Sequence, residues 1–136
     1  MKRSICILLI VALLVPCLAC RASAAVKDEI ELQFETINTI HARLTIDETL
    51  GIATCYGRIT AKNTYPVEVE LLLQVYKDNK WVTLKTWSNT GTMNCSTSHQ
   101  YAIARGYTYC VYVTGYVYDS NGAIIEAASA SHIVEF

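Results

Sequence analysis

The chain has 136 residues, 52% of them hydrophobic, with 11 basic and 12 acidic side chains and a net charge of −1. That length fits one domain with one core. Removing the first 24 residues takes away Lys2, Arg3 and Arg21 but no acid, leaving eight basic residues against twelve acidic and a net charge of −4; this argues against nucleic acid or an anionic membrane as partner, since both need a basic face.

Residues 1–25 read as a signal peptide. Lys2 and Arg3 supply a positive start, Ile5 to Val15 an uncharged apolar run, and Ala22-Ser23-Ala24 the small residues of a cleavage site. The run is too short to span a bilayer, which takes about 20 apolar residues. Cys17-Leu18-Ala19-Cys20 loosely resembles a lipoprotein box with Cys20 as the lipidated residue, but Cys17 stands where leucine is expected. The expectation is therefore a secreted protein with a mature end at Ala25 or Val26.

Residues 26–39 form an acidic segment. Ile30, Leu32 and Phe34 alternate with Glu29, Glu31, Gln33 and Glu35, which favours an extended edge strand, while Ile30, Phe34 and Ile37 also fit a helical stripe. Over residues 40–136 the β pattern repeats. Ile40 to Ile46 alternates, Asp47 to Gly51 turns, and Ile52 to Lys62 places Ala53, Cys55, Gly57, Ile59 and Ala61 on one face. After the turn Asn63 to Pro66, the residues Val67, Val69, Leu71, Leu73 and Val75 form another buried face. Lys77-Asp78-Asn79-Lys80 is a polar hairpin loop, followed by Trp81 to Trp87 with Val82 and Leu84 inward. The small polar stretch Ser88 to Ser98 reads as a loop, and His99 to Ala104 returns as a strand. Tyr107 to Tyr118 is the longest strand, Asp119 to Gly122 a tight turn, and Ala123 to about Ser129 the last strand.

About seven short strands without a convincing helix predict an all-β fold, an immunoglobulin-like or fibronectin-III-like sandwich. Gly106-Tyr107 heads the longest strand where such sandwiches carry a tyrosine corner, so Tyr107 is the residue expected to tie down the crossover loop.

Several segments carry a family resemblance: Ala53-Thr54-Cys55-Tyr56-Gly57, Leu73-Gln74, Lys80 to Ser88, Ala104 to Tyr109, and Val117-Tyr118 on to Glu126. From Ile52 to Ser129 the chain resembles an uncharacterised family of small secreted proteins of Gram-positive, clostridia-like bacteria. In that pattern a basic residue often stands where this chain has Cys110. The resemblance implies export and a β fold, and no activity.

No catalytic motif stands out. His41, His99 and His132 fall in three separate segments, and none has a nucleophile beside it in a recognisable motif. Cys17 and Cys20 have zinc-like spacing but lie in the leader, and the rest of the chain has no such pair. Glu68 and Glu70 share one strand face and are a candidate carboxylate pair for a glycosidase-like role, but a solvated face opposite Val67, Val69 and Leu71 is the preferred reading. Asp119-x-Asn121 would open a calcium loop, yet Ala130 stands at the twelfth position where a glutamate is needed. Asn94-Cys95-Ser96 fits a glycosylation sequon. No cofactor is implied.

Cys55, Cys95 and Cys110 remain after cleavage. Strand parity puts Cys55 inward and Cys110 outward with Tyr112 and Thr114, so a Cys95–Cys110 bridge is expected, with Cys95 reaching from a loop and Cys55 free. The outward positions Tyr112, Thr114, Tyr116 and Tyr118, joined by Tyr76 and Tyr56, form a candidate ligand-binding face for sugar rings or an extended peptide. The functional expectation is a non-enzymatic extracellular module, binding or structural at the cell surface. Its sharper form is a carbohydrate- or cell-wall-glycan-binding protein, and its rival a small hydrolase using Glu68 and Glu70.

Overall fold

The computed structural model describes residues 34–136. The leader, its cleavage positions, Cys17, Cys20 and most of the acidic segment lie outside the described residues. Within them the chain forms seven strands and no helix: β1 (Ile37–Asp47), β2 (Ile52–Ala61), β3 (Pro66–Lys77), β4 (Lys80–Thr92), β5 (Asn94–Ala102), β6 (Thr108–Tyr118) and β7 (Ile124–Glu135). β1 opens at Ile37, so the last residues of the segment set apart as 26–39 belong to the β domain.

Every pairing is antiparallel, in the order β1-β2-β5-β4-β3-β6-β7. β4 and β5 share a single pair, Thr92 with Asn94, so the ladder folds there into two sheets, β1-β2-β5 and β4-β3-β6-β7. The hinge is Met93, whose φ of 66° turns the chain through the left-handed region. Its amide donates to the Tyr65 carbonyl and its own carbonyl accepts from the Ala61 amide. Ala61 and Tyr65 are thereby pinned to the corner.

Local chemistry sets the other turns. Asp47 accepts the amides of Thr49 and Leu50 on its carboxylate. Asp78 and Asn79 both have positive φ, the geometry of a type I′ hairpin. Asp119 accepts the amides of Asn121 and Ala123, so its carboxylate serves a turn.

The two inner faces merge into one core. Leu44, Ala53, Cys55 and Ile59 on one side meet Val67, Val69, Leu71, Leu73, Val111, Val113 and Val117 on the other. Two glycines let the sheets approach. A Cβ on Gly57 would lie 2.9 Å from a Val113 methyl, and one on Gly115 would lie 2.5 Å from the Ile59 terminal methyl. On the β1–β7 side, the Leu44 amide donates to His132 Nδ1, and the Glu126 carboxylate accepts the amides of Glu35, Thr36 and Ile37.

Four expectations need correction. Ser88 to Ser98 is not a loop: it completes β4 and begins β5, because small polar residues suit an edge strand whose outer side meets water. Val82 and Leu84 are exposed, since β5 is the one strand of the other sheet that β4 meets, and it covers Trp87, which packs on His99 and Tyr101, rather than the Val82–Leu84 end. The residue that ties down the β5–β6 crossover is Tyr109, not Tyr107. The Tyr109 hydroxyl donates to the Ala104 carbonyl at 2.7 Å and accepts from the Ala104 amide at 3.0 Å, whereas Tyr107 is exposed. Tyr109 faces inward, and only an inward phenol can reach back beneath the crossover.

The fourth correction concerns the cysteines. All three are free and buried. Cys95 sits in β5 opposite Ile59 and belongs to the core, while Cys110 sits on the outer side of β6 between Gln74 and Ile133. A Cys95–Cys110 bridge would have to pass through the four-stranded sheet. Cys55 is inward as expected, and burial pushes its thiol up to about 11.

Candidate ligand-binding face

β3 and β6 lie side by side in the four-stranded sheet, with β4 and β7 outside them. Inward residues alternate with outward ones, so Glu68, Glu70, Leu72, Gln74 and Tyr76 of β3 share an outer face with Cys110, Tyr112, Thr114, Tyr116 and Tyr118 of β6. The register sets Leu72 opposite Tyr112, Glu70 opposite Thr114 and Glu68 opposite Tyr116.

The tyrosines on this face divide into two kinds. Tyr116 and Tyr118 are half-buried, their rings tilted together with centroids 6.5 Å apart. The Tyr118 hydroxyl donates to a Glu68 carboxylate oxygen at 2.5 Å. That bond, with some desolvation, pushes the Tyr118 phenol up to about 12. At the other end Tyr112 is 40% exposed and Tyr76 44% exposed. Tyr76 meets Trp81 across the β3–β4 hairpin at 5.2 Å, and Trp81 is itself 38% exposed. Tyr56, expected on this face from the sequence, lies on β2 in the other sheet.

Between Trp81 and Tyr112 the surface dips into an open depression of about 490 Å³. Leu72 and Cys110 are on the sheet beneath it, Trp81, Tyr112 and Ile133 supply its apolar surface, and Gln74 and Ser131 its polar groups. Apolar and aromatic surface with a few placed polar groups is the usual make-up of a small-molecule or glycan site. Burial raises the Cys110 thiol, so it sits there as a small apolar group. Sequence reasoning named Tyr112 and Tyr76 but missed Trp81 and Ile133 as partners. The hairpin register, which puts Trp81 beside Tyr76, was the signal available.

The other candidates take other places. Glu68 and Glu70 stand on the outer face, with Glu68 engaged by Tyr118. The three histidines are not brought together. His41 is on the outer face of β1, His132 accepts from the Leu44 amide, and His99 stacks on Trp87 at 4.8 Å with its Nε2 2.8 Å from the Thr97 hydroxyl. Among the described residues no cluster of three or more His, Cys, Asp and Glu could hold a metal ion. No known family model matches the chain, and no curated protein matches it.

Proposed function

We propose that the protein is an exported, non-enzymatic binding module of the fibronectin-III-like kind that takes glycan on the outer face of its β4-β3-β6-β7 sheet. The observation that carries this reading is the Trp81–Tyr112 depression, with aromatic surface left open to solvent on a regular sheet. Aromatic residues that only stiffen a sheet pack down on their neighbours, as Tyr116 and Tyr118 do. Tyr112 and Trp81 keep much of their ring surface free for stacking against a sugar face. The fold type is supported by strand order: β4 pairs along its length with β3 and only once with β5, and a tyrosine tie closes the crossover before β6.

The test is retention of residues 25–136 on cellulose, chitin, xylan and isolated bacterial cell wall. Retention on at least one matrix is expected, lost in a Trp81→Ala/Tyr112→Ala double variant whose melting temperature stays within a few degrees. No retention on any matrix, or retention that survives the double variant, would reject the reading.

A further inference from the structure

The outer face of the β1-β2-β5 sheet has a different chemistry. Outward positions on β1 carry His41 and Arg43, and those on β2 carry Tyr56 and Arg58. The register sets Arg43 opposite Tyr56 and His41 opposite Arg58, so the two arginines hold diagonal positions across one strand pair. Tyr56 is in turn opposite Ser98 of β5, and the His41 and Tyr56 rings meet edge to face at 6.1 Å. These side chains line an open depression of about 780 Å³, the rest of which is Ile40 and threonine hydroxyls. None of its lining residues is acidic.

Two arginines on one face with no carboxylate among the residues lining it have no countercharge within the site. The arrangement is also out of keeping with a chain whose acids outnumber its bases. An anion held by the guanidinium forks supplies that countercharge. The rest of the lining narrows the class of ligand. Threonine, serine and tyrosine hydroxyls complement sugar hydroxyls, and the Tyr56 ring offers a stacking surface. Two arginines and one histidine are too few for nucleic acid or an anionic bilayer, which are held by many cationic contacts.

We propose that this face is a second binding site, for an acidic glycan, in which Arg43 and Arg58 hold a carboxylate or sulfate while Tyr56 and the neighbouring hydroxyls take the sugar. It lies on the sheet opposite the aromatic depression and does not depend on that site's being a glycan site.

Affinity electrophoresis of residues 25–136 tests it, with polygalacturonate, dextran sulfate or uncharged dextran cast in the gel. Retardation is expected in polygalacturonate, in dextran sulfate or in both, and not in dextran; which of the two retards the protein tells carboxylate from sulfate. The Arg43→Gln/Arg58→Gln variant should bind about tenfold more weakly or worse, with its melting temperature unchanged or slightly raised. The Trp81→Ala/Tyr112→Ala variant should be retarded like the parent, which separates this site from the other face. No retardation in either charged polymer would overturn the proposal, as would equal retardation of the arginine variant. So would short single-stranded DNA held as tightly as the glycan through the same arginines, which would make the face a general anion site. Concentration-dependent self-association abolished by both Arg43→Gln/Arg58→Gln and Glu68→Gln/Glu70→Gln would overturn it too, because the occupant would then be a second copy of the chain.

Discussion

The two outer faces of this molecule are built on the same core by the same alternation, yet they differ in what they present. The β4-β3-β6-β7 face carries tyrosines, Trp81 and the carboxylates of Glu68 and Glu70, whereas the β1-β2-β5 face carries Arg43, Arg58, His41 and hydroxyls. The inner positions are constrained by packing, because Leu71, Val69 and Val113 are fully buried and Gly57 and Gly115 leave no room for a methyl group. The outer positions are not so constrained. Chemistry that recurs on them therefore reports function more directly than the core does.

Damage to what the faces share should remove both. Leu71→Ala should cost about 2–5 kcal/mol, read by urea unfolding, and take both binding activities with it at moderate temperature. Gly115→Val, which drives a side chain against Ile59 and Ile40, should cost about 1–3 kcal/mol. If either variant keeps full stability, the sheets are not packed as described.

A smaller change should separate the faces. Burial works to raise the Glu126 carboxyl, but the Thr36 hydroxyl and the amides of Ile37, Thr36 and Glu35 outweigh it and hold it below its ordinary 4.5. The stability this contributes is present above pH 4.5 and lost as pH falls through the lower folded value. Glu126→Gln should cost about 2 kcal/mol at neutral pH, with the gap to the parent closing in acid. Amide exchange should quicken at the start of β1 and leave β3 and β6 unchanged.

The Tyr118–Glu68 bond gives the opposite sign. A phenol raised from 10.0 to about 12 contributes stability that is whole below pH 10 and lost as pH climbs toward 12. Ultraviolet titration should find one late tyrosine, and Glu68→Gln should bring it back toward the others. Tyr112→Ala is the mildest, within about 0.5 kcal/mol, as expected for an exposed side chain.

Much of the fold was legible because inward and outward chemistry differ where both sides of a strand are committed. Val67 to Val75 and Tyr109 to Val117 alternate cleanly for that reason. Ser88 to Ser98 was not legible, since an edge strand needs no apolar partner on its free side and its composition mimics a loop. Cys95 was misplaced along with that stretch. The tyrosine tie was set two residues early, because Gly106 marks the turn while the inward position that can reach Ala104 comes at Tyr109. The cationic face was overlooked because net charge averages over the molecule. His41, Arg43, Tyr56 and Arg58 come together only when the hairpin at Asp47 to Gly51 brings β2 back along β1.

The central claim, that the aromatic face binds glycan, is tested most directly by tryptophan fluorescence. The two tryptophans report different places, because Trp87 stacks on His99 at the open side of the sandwich while Trp81 borders the depression. A Trp87→Phe variant leaves Trp81 as sole reporter and can be titrated with cellohexaose, chitohexaose and xylohexaose. A saturable change in Trp81 emission with at least one of these sugars, absent when Tyr112→Ala is added, is the predicted result. Trp81 emission that stays flat through all three titrations, in a protein that remains folded, would contradict the account.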